Sequence, residues 1–141
     1  MSTILETEVT LINDKLKFSA KAQSNPEIIL DYIPPLGDGE GYMPLELLLI
    51  SLASCSASTV APLLRKFQKD VSGLTVSAKG VRRETHPTSF ETITLNFTLK
   101  SKDSQEADMQ KVIQMSEDKY CPVWAMLKNN VDIKTQFKII Q

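Results

Sequence analysis

Excess charge of one sign is what this 141-residue chain most conspicuously lacks: 16 Lys and Arg stand against 17 Asp and Glu, a formal net charge of -1. With no field to draw it to phosphates or anionic headgroups, the composition argues against a nucleic-acid binder and a membrane-surface protein. Cysteine is scarce too. Cys55 and Cys121 are too few for a disulfide-stapled scaffold, and with the single His86 they are too few for a zinc site. Residues 1–10 carry Glu6 and Glu8 and lack the basic stretch and apolar core of a signal peptide, so the expected location is cytoplasmic. Apolar residues are not scarce: at 42% they suffice for a buried core, and the length suits a single domain over residues 1–141.

Apolar and polar residues alternate in Thr7-Glu8-Val9-Thr10-Leu11 and again in Lys15-Leu16-Lys17-Phe18, with Asn13-Asp14 between them. This predicts a hairpin, followed by a third short strand over residues 28–32. Pro34, Pro35, Gly37, Gly39 and Gly41 then crowd into eight residues, a composition that predicts a mobile loop. Pro44 suits a first helical position and Glu46 the first turn of a helix running to about Gln68. Residues 47–64 carry no charge, and apolar residues on every face predict a helix surrounded by protein. Its Ser residues and Pro62 argue against a membrane span. Beyond Gly73 the period changes to two, predicting antiparallel strands around Val76 and around Ile93 to Leu99. A helix over residues 105–119, capped by Ser104, a helical turn after Cys121-Pro122 and a last strand over residues 131–140 complete an α+β domain.

Chemistry comes down to two thiols with 65 residues between them. Cys121 at a helix start should be the more acidic, because a helix N-terminus stabilises a thiolate, whereas apolar burial raises the pKa of Cys55. Ser51 and Ser58 share a helical face with Cys55 and could donate to its sulfur. Two readings are open. Both cysteines are core residues, or they meet in space so that one attacks an oxidant and the other resolves the sulfenic acid. His86, before Pro87, reads as a turn residue rather than a general base. Trp124, Met126 and Leu127 read as core or as an apolar wall, and Tyr42 and Met43 as a lid beside the helix start.

At these residues the chain resembles the OsmC/Ohr family. The stretch Gly41-Tyr42-Met43-Pro44-Leu45-Glu46-Leu47-Leu48-Leu49-Ile50-Ser51-Leu52-Ala53-Ser54-Cys55 is similar to the family's helix, in which a proline precedes a cysteine by eleven residues; His86-Pro87 and Tyr120-Cys121-Pro122-Val123 follow as later landmarks. The resemblance implies antiparallel sheets wrapped around a long central helix in an intertwined homodimer. It also implies an organic hydroperoxide reductase with Cys55 as the peroxidatic thiol and Cys121 as the resolving one, regenerated by a dithiol or lipoyl-type reductant without metal or organic cofactor. Glu46 is the carboxylate nearest in sequence to the family's activating group, and Tyr42, Met43 and Trp124 are the expected pocket residues. Leu45 stands where the peroxidase branch has Glu after the proline, and the first arginine is Arg65. The pattern looks more like the general OsmC-like branch. Lys15, Lys17, Lys21, Arg82 and Arg83 are the alternative sources of positive charge. The rival reading is a non-catalytic dimer that holds an apolar or thiol-bearing ligand.

Overall fold

The computed structural model describes residues 3–141 and divides the chain into two compact units, Met1–Leu48 and Leu49–Gln141. In the first unit, β1 (Thr7–Leu11), β2 (Phe18–Ala22) and β3 (Ile28–Leu30) form an antiparallel meander in that order. The hairpin turn is held by Asn13, whose Oδ1 accepts from the N–H groups of Lys15 and Lys17 at 3.0 and 3.1 Å. Asn is suited to this because its short side chain can imitate a backbone turn.

The Pro/Gly segment expected to be mobile is instead organised around Asp31, a carboxylate only 1% exposed. It accepts from the N–H groups of Tyr32 (2.8 Å), Asp38 (3.2 Å) and Glu40 (3.2 Å). Gly37 N–H donates to Ile33 and Gly39 N–H to Tyr32, so the glycines close turns over the carboxylate. Gly39 adopts φ +70°, a conformation open to glycine at little cost. Lys15 and Lys17 pair with Asp38 and Glu40, tying the loop to the hairpin. Pro and Gly exclude helix and strand here without implying disorder, since one buried acceptor collects the loop's donors.

Helix α1 (Pro44–Lys66) starts in the first unit and continues into the second. Its Glu46 side chain accepts from Met43 N–H at 2.8 Å, and Arg65 and Lys66 lie in its last turn. It is long and apolar enough by length and composition to cross a membrane, yet Leu52, Ala53, Ser56, Val60 and Leu64 form a buried stripe within the chain. Burial on all sides, expected from the sequence, is not what the single chain provides: Ile50 is 47% exposed.

The second unit carries β4 (Gly73–Arg82), β5 (Phe90–Lys100) and β6 (Asp132–Ile140) in that spatial order. β4 and β5 are antiparallel as expected, but β6 runs parallel to β5, so this sheet is mixed. A parallel neighbour needs a crossover connection, which α2 (Glu106–Met115), a π-helical turn (Ser116–Tyr120) and α3 (Pro122–Leu127) supply. The helix expected over residues 105–119 is α-helical to Met115 and continues as the π-helical turn to Tyr120. Its cap is Gln105, whose N–H donates to Asp108 at 2.8 Å, while Ser104 is engaged with the Ser101 hydroxyl at 2.9 Å. Alternate residues of β5 (Ile93, Leu95, Phe97 and Leu99) are buried together with Met109, Val112 and Trp124, and they form this unit's core.

Candidate active site

Cys55 lies midway along α1 and is half-buried, whereas Cys121 is 2% exposed at the N-cap of α3. The chain reaches Cys121 through the π-helical turn, closed by Cys121 N–H donating to Ser116 O at 3.0 Å, and leaves it through Pro122, which is preset for a first helical residue. In this position the Cys121 sulfur accepts from Trp124 N–H at 3.4 Å. The Ser56 hydroxyl lies 3.9 Å from the same sulfur, brought there by the buried face of α1. Cys55, one residue earlier on the helix, is near enough to hydrogen-bond with Cys121 and to act on it electrostatically. The two thiols do meet, although neither is in a disulfide here.

The electrostatics of Cys121 run against the sequence expectation of an acidic thiol at a helix start. Burial pushes the Cys121 thiol above its ordinary value of 9.0, and Cys55 raises it further through a hydrogen bond and its charge; Trp124 N–H and the Ser56 hydroxyl act in the opposite direction. A single N-terminal donor is outweighed when the sulfur is taken out of water beside a second thiol. The Cys121 thiol is therefore held toward its protonated form. Ser51 and Ser58, expected near Cys55, are exposed; Ser56, which sequence reasoning passed over, is the serine turned toward the thiols. The clue was available, because a residue 100° around the helix from Cys55 falls on the apolar face that continues to Val60 and Leu64.

The remaining sequence candidates are spread across the chain. Tyr42 is 49% exposed and its backbone is joined to β3, with Tyr42 N–H donating to Ile29 and its carbonyl accepting from Asp31. Met43 is half-buried and its N–H is taken by Glu46. Trp124 is 1% exposed, and what it offers Cys121 is a backbone donor. Arg82 bonds the Thr88 carbonyl and hydroxyl, and Arg83 bonds those of Thr85, so both brace the loop between β4 and β5. His86 is exposed in that loop. Carboxylate oxygens of Asp31, Asp38 and Glu40 lie within 4.8 Å of one another, but they accept backbone N–H groups or pair with Lys15 and Lys17 as part of the loop brace.

Comparison with known proteins places this arrangement. A family described as "OsmC-like protein" matches residues 37–136. Protein YhfA of Escherichia coli K12 is 30% identical over 125 residues, 89% of this chain and 91% of that protein. A hypothetical protein from Aquifex aeolicus VF5 superposes with a TM-score of 0.86 at 30% identity, covering 98% of this chain and 97% of its own. An organic hydroperoxide resistance protein from Elizabethkingia anophelis shares the fold at 15% identity, with a TM-score of 0.75 over 99% and 98% of the two chains. The family match spans well over half of the chain, and the chain belongs to the OsmC-like protein family.

Proposed function

We propose that this protein is a thiol peroxidase that reduces organic hydroperoxides through Cys55 and Cys121. The observation that carries the reading is the pairing of a half-buried Cys55 with a buried Cys121 from a distant part of the chain. The accessible thiolate of Cys55 attacks the peroxide oxygen, the O–O bond breaks, the alcohol leaves with a proton, and Cys55 becomes a sulfenic acid. Cys121 then attacks that sulfur, forming the disulfide and releasing water, and an external dithiol of lipoyl type reduces the disulfide by exchange. The relatives that carry the name organic hydroperoxide resistance protein support this substrate class, and a cytoplasmic location suits a cycle that needs a reducing pool.

The working form in this reading is a homodimer. Support comes from apolar side chains that the single chain leaves exposed, among them Val9, Leu11, Ile28 and Ile50. A solution mass of twice 15.7 kDa is expected by light scattering.

One set of observations favours the rival, a non-catalytic dimer that holds an apolar or thiol-bearing ligand. Glu46 is taken up by Met43 N–H, Arg82 and Arg83 by their loop, and Lys15 and Lys17 by Asp38 and Glu40. Of the charged groups that sequence offered for activating Cys55, all except Lys21 thus have structural employment. The first unit also holds an apolar cavity of about 330 Å³ lined by Val9, Ala20, Ile28, Leu30 and Leu47.

Turnover decides between them. Reduced protein given cumene hydroperoxide and dihydrolipoamide should consume peroxide continuously. Cys55→Ser should lose at least about 100-fold, and Cys121→Ser should stop after one equivalent with a dimedone-reactive Cys55. Equal consumption by wild type and Cys55→Ser would remove the peroxidase reading and leave the ligand-binding dimer.

A further inference from the structure

The serine next to Cys55 is oriented to serve the other cysteine. Ser56 has no exposed surface, its Oγ is 3.9 Å from Cys121 Sγ, and its backbone belongs to the rigid interior of α1. A buried hydroxyl keeps its place only with a polar partner, and Cys121 is the partner that the geometry provides. Cys121 in turn faces the Ser56 hydroxyl from α1, a pair in which either group can donate, and the Trp124 N–H from α3, and Cys55 is the ionisable group that acts on it.

This constellation answers a difficulty in the cycle proposed above, on which the inference rests. A resolving thiol 2% exposed must become nucleophilic in a place where burial disfavours its anion. Burial holds the Cys121 proton first, and a negative charge on Cys55 adds to it. Once Cys55 has become a sulfenic acid that charge is gone, and Trp124 N–H and the Ser56 hydroxyl oppose burial alone.

We propose that Ser56 is a positioning residue for the resolving step, its hydroxyl donating to the Cys121 sulfur as that sulfur attacks the Cys55 sulfenic acid. In that step the new S–S bond forms and the S–O bond of the sulfenic acid breaks. The proton lost by Cys121 leaves with the departing hydroxide as water, and the sulfur of Cys121 is oxidised as that of Cys55 is reduced from sulfenic acid to disulfide. Hydrogen bonding by Ser56 acts through Cys121 and does not require contact with the peroxide.

Ser56→Ala, Ser56→Gly and Ser56→Thr test the assignment in two independent ways. In a single turnover with cumene hydroperoxide, Ser56→Ala should slow disulfide formation about tenfold relative to sulfenic acid formation and move the pH profile of that step upward, while Ser56→Thr restores both. In a Cys55→Ser background, where one thiol remains, thiolate absorbance should show Cys121 ionising about one pH unit higher when Ser56 becomes Ala or Gly. The second measurement uses no peroxide. If wild type fails to react with peroxide while the titration moves as expected, the peroxidase reading falls and the Ser56–Cys121 coupling stands. An unchanged titration, or disulfide formation as fast in Ser56→Ala as in wild type, overturns the proposal. Ser56→Gly lacks the hydroxyl too and serves as a second truncation, while Ser56→Thr keeps the hydroxyl and reports on packing alone.

Discussion

Two buried ionisable groups, Asp31 in the loop of the first unit and Cys121 at the thiol site of the second, move in opposite directions. Burial pushes both toward the neutral form. For Asp31 this is overcome by N–H groups from Glu40, Tyr32 and Asp38 and by the nearby Lys17, so its carboxyl ends below its ordinary value of 3.8. For Cys121 it is reinforced by Cys55, and the two opposing donors do not restore the balance. The sign of neighbouring charge and the supply of donors, not burial by itself, decide which buried group remains ionised. One arrangement fixes a charge permanently as a structural brace. The other holds a proton in reserve.

The largest effect expected from breaking this contrast is at Gly37. A Cβ there would stand 2.8 Å from Tyr32 N and closer still to the Asp31 carboxylate. The Asp31 carboxylate could turn aside, but the Tyr32 carbonyl oxygen and N are backbone and cannot, so Gly37→Ala must open the loop. A fall in melting temperature of roughly 10 °C is expected, with faster amide exchange over residues 31–42 and little change around Cys121. Unaltered exchange in the loop would show that Asp31 does not organise it.

Asp31→Asn should act less strongly and in a pH-dependent way. A carboxyl whose folded pKa lies below its unfolded one contributes stability above the unfolded value, here about 3.8, and loses it as pH falls toward the folded value. Wild type should therefore show an acid limb below about pH 4 that flattens in Asp31→Asn, together with a drop of roughly 5 °C at neutral pH from the lost charge-assisted bonds. Denaturant melts between pH 2 and 7 would reveal it. An acid limb of the same depth in both proteins would assign acid sensitivity elsewhere.

How much of this could be read from the chain depends on whether a residue's partner lies in a pattern. Alternation marked the β1–β2 hairpin and β4–β5, and Asn13 marked its turn, because those signals are local. The Cys-Pro start of α3 was equally visible, and so was the pair of thiols as chemistry without geometry. Asp31 left no trace, since its partners are backbone N–H groups seven and nine residues away that have no side-chain signature. The direction of β6 was hidden too, because alternation is the same whether a strand runs up or down. Ser56 was lost among six consecutive small residues, and an all-apolar α1 conceals which stripe the chain itself buries. Periodicity reports a face only when another face is polar.

Cys121→Ser sharpens the other half of the comparison at the opposite end of the pH scale. A thiol whose folded pKa is raised stabilises the protein less and less as pH climbs past the unfolded value, ordinarily 9.0, because the unfolded chain gains by ionising there and the folded chain does not. Reduced wild type should lose stability as pH rises above 9.0, and the serine variant should lose less of it. Oxidation to the disulfide should remove the same limb. Chemical denaturation under strict reduction is the measurement, and identical alkaline slopes in wild type and variant would mean that Cys121 ionises as easily folded as unfolded.

The smallest effect is expected where charge is paired but exposed. Lys15 bonds Asp38 at 2.9 Å with both side chains substantially in solvent, and its ammonium is held above the ordinary lysine value of 10.5 chiefly by the hydrogen bond to Asp38 and its charge. Water and salt screen such a pair, so Lys15→Ala should lower the melting temperature by no more than about 2 °C, a difference that shrinks further in 0.5 M salt. The asymmetry with Asp31 is the point of the measurement. Both belong to the same loop, but only the carboxylate gathers donors that have nowhere else to bond. A loss at Lys15 as large as at Asp31, persisting in salt, would mean that the loop is held by its ion pairs and that the buried acid is secondary.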